Sequence, residues 1–495
     1  MTQILAPLVK PLASAWARRR TRAMPPQDPT ATLRFLLQKA RHTRFGREFG
    51  FADVLASSNP LSAFRAALPI MDYDVWVTWL GDRGPLSEKG PQPLTDEAWP
   101  GTIDIFCLSS GTTSGRTKYI PYSTDMAAIN RRAALDFFAF LVYERPEQAP
   151  LLSQTLYMSG STNLARNANG ALCGDMSALT KYLAPRFLDM LTQPPPAVAS
   201  LEPWERRLEA MVALCLDDHP IGAVSGIPIW QLTMLERIIE CSGKPISQAM
   251  PHLRYLIHGG MSISPYRERI QQLLGDQVQT IEVYAASEIG IGAYQIPGTA
   301  GMHFWQHYQV FYEFEDDRGR VFTAEELQPD TPYGLLVSSC SGLWRYRIGD
   351  RLTFASIDPL ILAAVGRDKT TSAFDEKVTE QELETAMIKM PHPFADFSLG
   401  PDIEKRRHVW FLIGDSFPGD DWVAQLDRNL REQNQDYDDY RGDGRIQPPA
   451  AVLVPKRGEF LNNLGRAEGG QRKFPRLLSP DEVKRLLDDS GQPAH

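Results

Sequence analysis

Apolar positions recur every three or four residues early in the chain. Leu33, Leu36, Leu37 and Ala40 fall on one helical face and Phe51, Val54 and Leu55 form a second set, so residues 31–67 read as helical. Thr43-Arg44-Phe45-Gly46 breaks that spacing, residues 69–80 read as a short connection into another helix, and the prolines and glycines of 85–100 read as loop. Residues 103–108 form a short apolar run that ends in a tract of small, hydroxyl-bearing residues. Ser123-Thr124-Asp125 then offers caps for a helix reaching about Tyr143. Apolar runs at 155–158, 223–226, 255–257, 279–284, 310–314 and 334–338 alternate with helical patterns at 203–216 and 230–242. Strands interleaved with helices predict an α/β fold.

Near residue 366 the pattern changes. A helix-like run at 380–389 is followed by a strand at 409–413, a helix at 422–433 and a strand at 451–454, a compact α+β unit. The expected division is therefore 1–367 and 368–495, with a hinge near 366–370. The acidic patches 313–317 and 436–439 read as solvated surface.

Composition narrows the picture. The 495 residues exceed one average domain, and 43% hydrophobic with 23% charged residues is enough for sizeable cores. A formal net charge of -8 argues against nucleic acid as the main partner. The five cysteines (107, 173, 215, 241 and 340) are scattered and form no CxxC, which points to free thiols in a reducing cytoplasm rather than to disulfides or a zinc site. Cys107 reads as a small core residue. No stretch approaches the ~20 apolar residues that span a bilayer. Arg18, Arg19 and Arg20 follow the apolar N-terminal patch, the reverse of a secretory signal, so an amphipathic surface helix is expected there.

The chemistry centres on residues 108–121, Leu-Ser-Ser-Gly-Thr-Thr-Ser-Gly-Arg-Thr-Lys-Tyr-Ile-Pro. Such a backbone can wrap an oxyanion and offer amides, hydroxyls and positive charge together. It is no Walker A loop: counted from Gly111, the second required glycine falls on Arg116. Other pieces support a nucleotide site. Val283-Tyr284-Ala285-Ala286-Ser287-Glu288 follows an apolar strand and ends in a carboxylate that can hold Mg²⁺ against phosphate oxygens. His258-Gly259-Gly260 also follows a strand, and its glycines would let a flat ring approach the backbone. In Trp344-Arg345-Tyr346-Arg347-Ile348-Gly349-Asp350 the final acid can accept from ribose hydroxyls. Gly366-Arg367-Asp368 adds a cation at the hinge, and Lys473-Phe474-Pro475-Arg476 adds a lysine beside proline.

In this order the pieces resemble an acyl-adenylating enzyme of the firefly luciferase and acyl-CoA synthetase superfamily, and more narrowly the auxin-responsive acyl acid amido synthetases. The matching residues are Ser109 to Gly115 with Lys118 and Ile120-Pro121, Tyr284 to Glu288, Tyr346 to Asp350, Gly366-Arg367, Glu376 to Glu380 and Lys473 to Arg476. Thr43 to Arg47 and Leu68 to Tyr73 match as well. The resemblance implies a large N-terminal adenylate-forming domain of mixed sheets and helices with a β-barrel-like subdomain, plus a small mobile α+β C-terminal domain. It implies ATP and Mg²⁺, a small carboxylic acid, an amine or amino acid acceptor, and release of pyrophosphate. Ser109, Ser110, Gly111, Thr112, Thr113 and Lys118 would bind phosphate. Gly260, Tyr284, Ala285, Ala286 and Ser287 would line the adenine and α-phosphate region. Glu288 would assist the metal, Asp350 hold the ribose, Arg367 contact the nucleotide, and Lys473 stabilise charge in adenylation.

The chain also departs from the family pattern. Ala286 stands where members commonly carry a second serine, and residues 370–375 are more polar than the usual hinge. The acyl pocket is expected from 157–162, 225–230 and 303–308, with no residue matching a motif. His303 and His307, four apart with no third ligand nearby, read as strand or loop residues. A thiol acceptor and a non-catalytic nucleotide-binding protein are the alternative readings.

Overall fold

The computed structural model describes residues 11, 14–20 and 28–490, less 85–89, 110–117, 145–152, 186–190, 203, 218, 261–262, 264–265, 297–298, 368–369, 372–373, 375–377, 392–393, 395, 417–418, 443, 445 and 466–473. The chain forms two compact units. Unit 1 comprises Met1–Gly260 and Leu273–Val365; unit 2 comprises Met261–Gln272 and Gly366–His495.

Unit 1 begins with short helices at Pro29–Ala40, Arg44–Glu48, Phe51–Ala56 and Pro60–Ala67. Leu33, Leu36, Leu37 and Ala40 are buried as one face. The break at Thr43 proves to be a helix start: its Oγ1 accepts from the Gly46 amide at 3.0 Å. Gly46 lets this turn press on the preceding helix, because a Cβ there would stand 2.1 Å from the Ala40 carbonyl oxygen. The long helix Thr124–Glu144 starts where expected. Ser123 Oγ accepts from the Met126 amide at 3.0 Å and donates to the Cys340 carbonyl at 2.7 Å, tying the cap to a distant strand.

The strands are β1 (Ile105–Ser109), β2 (Lys118–Pro121), β3 (Gln154–Tyr157), β4 (Leu172–Gly174), β5 (Thr192–Gln193), β6 (Ile221–Gly226), β7 (Tyr255–Gly259), β8 (Gln279–Ala286), β9 (Gly290–Tyr294), β10 (Met302–Phe304), β11 (Val310–Glu315), β12 (Val321–Phe322), β13 (Pro332–Ser339), β14 (Leu343–Ile357) and β15 (Leu360–Arg367). A twelve-stranded sheet has the order β12-β11-β13-β14-β15-β10-β9-β8-β7-β6-β3-β5. Strands β5, β3, β6, β7 and β8 run parallel, while β8 through β13 join antiparallel neighbours where their pairing is defined. A second sheet has the order β2-β1-β4. No described helix is long and apolar enough to cross a membrane.

The acidic patch at 313–317 departs from its reading as solvated surface. Glu313 is buried on β11 and meets Arg65 Nε at 2.8 Å and Arg345 Nε at 3.0 Å, and Glu315 meets Arg347 Nη2 at 2.8 Å. These partners lie 248 and 32 residues away, so only the tertiary fold could reveal them. In the second patch Asp438 pairs with Arg431 at 2.5 Å, and Tyr437 is buried with its hydroxyl donating to Asp427 at 2.8 Å.

Unit 2 is built on β16 (Asp396–Asp402), β17 (Arg407–Ile413) and β18 (Gln447–Val454), with β17 central. The apolar run in β17 reflects a strand covered on both faces. Trp410 and Leu412 pack with Leu383, Met387 and Leu426, whereas Val409 and Phe411 pack with Phe460, Phe474 and Val483.

Candidate active site

Ser109 ends β1, Lys118 begins β2, and the two pair directly across the antiparallel ladder. The ends of the glycine-rich tract are thus held side by side; Ser110, Gly111, Thr112 and Thr113 lie outside the described residues. Lys118 Nζ stands 5.6 Å from the centre of the Tyr73 ring, and Tyr73 Oη accepts from the Tyr119 amide at 2.8 Å. Asp72 caps the helix that carries Tyr73, accepting from the Val75 amide at 2.9 Å. Burial pushes the Tyr73 phenol up to about 12, so it stays protonated. Cys107, two residues before Ser109, is fully buried. Burial first, and then the charge of Glu288, hold its thiol well above the usual range. It is an inert core residue.

Glu288 sits in the turn between β8 and β9. The turn closes through the Ile289 amide on the Ala286 carbonyl at 3.1 Å, and Gly290 leaves it with φ +68°. Ser339 Oγ donates to the Glu288 carbonyl at 3.0 Å, and the Glu288 side chain is buried. Ala285 and Ala286 end β8 half-buried, with Ser287 buried after them.

Tyr284 and Asp350, 66 residues apart, meet in the core. The phenol donates to Asp350 Oδ2 at 2.9 Å. Burial, then the charge of Asp350, raises the phenol well above its ordinary value, so it remains a donor. Asp350 reaches this position through a bulge between the pairs Leu336–Arg347 and Gly334–Arg351. Gly349 there has φ +92°, and no atom lies within 4 Å of a Cβ built on it. Backbone conformation, rather than space, calls for glycine.

At His258-Gly259-Gly260 the first glycine serves the packing of strands. A Cβ on Gly259 would lie 2.3 Å from the Val283 carbonyl oxygen, so its bareness lets β7 approach β8. Gly260 follows at the strand end with φ +82° and is exposed. Arg367 ends β15, and its side chain lies outside the described residues, as do Glu376, Lys377 and the whole of Lys473.

The structure thus joins Ser109 to Lys118 and Tyr284 to Asp350. It also adds Tyr346, whose hydroxyl is buried with no hydrogen-bond partner among the described residues. Burial, then the Glu288 charge, raises that phenol well above its usual range. Tyr346 stood inside a recognised motif, yet nothing in its spacing separates a core tyrosine from a site tyrosine. Among the described residues no three His, Cys, Asp or Glu side chains converge as a metal cage. Mg²⁺ commonly uses one or two carboxylates plus substrate phosphates, a donor set that Glu288 fits.

On one side of the parallel strands lies an aromatic group that periodicity did not reveal. Phe137, Phe138 and Phe140 of the long helix gather with Tyr294 and Trp305; the Phe140–Trp305 ring centres are 5.5 Å apart and those of Tyr294–Trp305 5.3 Å. His303 stacks on Trp305 at 5.8 Å, and burial lowers its pKa. His307 is lowered to about 4 by burial and then by Arg132.

Family models match the chain in order. The GH3 family N-terminal domain matches residues 23–225, the central domain 303–367 and the C-terminal domain 375–482. No curated protein matches significantly by sequence. Among solved structures, a GH3.15 acyl acid amido synthetase is similar with TM-score 0.74 and 16% identity, covering 98% of this chain and 95% of that one. An AtGH3.15 acyl acid amido synthetase in complex with 2,4-DB gives TM-score 0.70 at 15% identity, covering 94% and 97%. A 2-hydroxyisobutyryl-CoA ligase in the postadenylation state gives TM-score 0.60 at 12% identity, covering 93% and 91%. At these identities the likeness is one of fold.

Proposed function

Because the chain belongs to the GH3 family, we propose that it is an AMP-forming ligase that joins a small carboxylic acid to an amine, most simply an amino acid. The observation that carries this reading at the site is the hydrogen bond from Tyr284 on β8 to Asp350 on β14, which joins two motifs far apart in sequence. In the first step a carboxylate oxygen attacks the α-phosphorus of ATP, the bond to the β-phosphate oxygen breaks, and pyrophosphate leaves. In the second, the amine nitrogen attacks the acyl carbon, AMP departs with the bonding pair, and the nitrogen loses a proton. Activation is required because oxide is a poor leaving group and AMP a good one.

The roles are those that the family motifs imply. Ser109 to Thr113 and Lys118 take the phosphates, with Ser109 and Lys118 held opposite each other. Ala285, Ala286 and Ser287 border the adenine and α-phosphate, next to exposed Gly260. Asp350 accepts from the ribose hydroxyls while Tyr284 fixes the plane of its carboxylate. Bound Mg²⁺ would spread the phosphate charge, and Glu288 is the residue that would hold it. Lys473 stabilises the charge that develops at the α-phosphate, and Arg367 contacts the nucleotide. Residues 1–367 act as the adenylation domain, and residues 368–495 turn about 366–370 between the two steps. The free cysteines fit a reducing cytoplasm.

Mass spectrometry of reactions with ATP, a panel of acids, amino acids and coenzyme A tests the reading. AMP with an amide product is expected. A thioester alone would favour the thiol-acceptor reading, which the likeness to a CoA ligase fold motivates. ATP binding without acid-dependent pyrophosphate exchange would overturn catalysis altogether.

A further inference from the structure

Arg476 follows Lys473 by three residues and is 3% exposed. Its Nη1 donates to the Phe397 carbonyl at 3.0 Å and to Asp396 Oδ1 at 3.3 Å, and its Nη2 donates to the Tyr266 hydroxyl at 3.0 Å. Glu384 Oε1 stands 3.6 Å from Nε. Tyr266 donates in turn to Asp396 Oδ1 at 2.9 Å, and Arg457 Nε lies 2.8 Å from Asp396 Oδ2. The guanidinium also lies 4.1 Å from the centre of the Phe397 ring. The backbone repeats the attachment: the Leu399 amide donates to the Arg476 carbonyl, and the Leu478 amide to the Leu399 carbonyl, both at 2.8 Å. Residues 474–478 are therefore sewn along β16.

Tyr266 reaches this cluster from an unexpected part of the chain. Met261–Gln272 belongs to unit 2, although Gly260 before it and Leu273 after it belong to unit 1. The chain passes between units after residues 260, 272 and 365. A turn about 366–370 alone must then either carry Met261–Gln272 along or release Tyr266, which is 1% exposed.

We propose that Arg476 and Tyr266 are positioning residues for the first half-reaction. Their junction at Asp396 makes the stretch that follows Lys473 and the stretch that follows Gly260 parts of one rigid body. Neither residue touches substrate. The proposal rests on the amido synthetase reading and adds to it that the C-terminal unit is aligned by a tether far from the hinge in sequence.

Tyr266→Phe is the sharpest test. It keeps the ring and removes only the hydroxyl; Asp396 retains both arginines, and Arg476 retains Asp396 and the Phe397 carbonyl. Losing a hydrogen bond to charged partners predicts about a tenfold fall in kcat for acid-dependent ATP–pyrophosphate exchange. KM for ATP, aminolysis of supplied acyl-AMP and the melting temperature should stay at wild-type values. Amides of 266–272 should exchange hydrogen faster. Unchanged pyrophosphate exchange, or equal losses in both half-reactions, would overturn the proposal. If the wild-type protein shows no acid-dependent exchange, the amido synthetase reading is what fails. The tether is then decided by hydrogen exchange alone: faster exchange at 266–272 supports it, and unchanged exchange refutes it.

Discussion

Two regions of unit 1 bury carboxylates in different ways. On β11, Glu313 is met by the guanidiniums of Arg65 and Arg345, and Glu315 by that of Arg347. Asp350, on β14, is met by the phenol of Tyr284 from β8. A guanidinium cancels the charge it holds, whereas a phenol contributes one directed hydrogen bond. The first arrangement suits an acid that keeps strands together; the second suits one that accepts hydrogen bonds from a ligand. One motif spans both kinds. Arg345 and Arg347 serve the scaffold, and beyond them a glycine bulge turns Asp350 to Tyr284.

The contrast can be broken most severely at Glu313. Glu313→Gln leaves Arg345 buried without its charge partner and should cost about 3–5 kcal/mol of unfolding free energy in a urea titration, with activity per folded molecule retained. A loss of activity with stability intact would put Glu313 in the site and dissolve the distinction. Next in size is Lys473→Ala. Removing a group that stabilises transition-state charge should slow acyl-AMP formation by roughly a hundredfold or more. Aminolysis of supplied acyl-AMP should be spared, and equal loss in the two half-reactions would sink the assignment.

Asp350→Asn should act on binding rather than folding, raising KM for ATP about tenfold for one lost charge-assisted hydrogen bond. Its urea midpoint should stay near that of the wild type. If Asp350→Asn proves as destabilising as Glu313→Gln, the two carboxylates are of one kind after all. The smallest effect concerns His307. Burial and Arg132 lower its folded pKa to about 4 from the usual 6.5. Between those values the unfolded chain binds the extra proton, so stability rises with pH across the window and is lost as pH falls through it. His307→Gln should flatten that part of the stability–pH curve, and an unchanged slope would assign it to other groups.

Much of this was legible in advance for local reasons. The helical face of Leu33 to Ala40, the cap at Ser123 and the strand before Ser109 depend on residues within one or two turns of each other. Tyr284 to Glu288 and Asp350 could be singled out because an acid after a strand, or after a glycine, is a local signal. Tyr346 and the aromatic group of Phe140, Tyr294 and Trp305 were not legible, because a buried aromatic has the same local pattern whether it fills a core or borders a site. Thr43 misled for a related reason: a residue that ends one helical pattern can cap the next.

The amino-acid order by itself determined the alternation of strands and helices and the family to which the motifs belong. Only the tertiary structure decided which partners the buried acids meet. Glu313 looked solvated until the tertiary fold brought Arg345 beside it, and Asp396 shows nothing locally of Tyr266, 130 residues away. It also gave Gly259 its reason, the approach of Val283 on the neighbouring strand. Periodicity and capping act over a few residues, but charge compensation and close backbone contact depend on what the fold brings across the sheet.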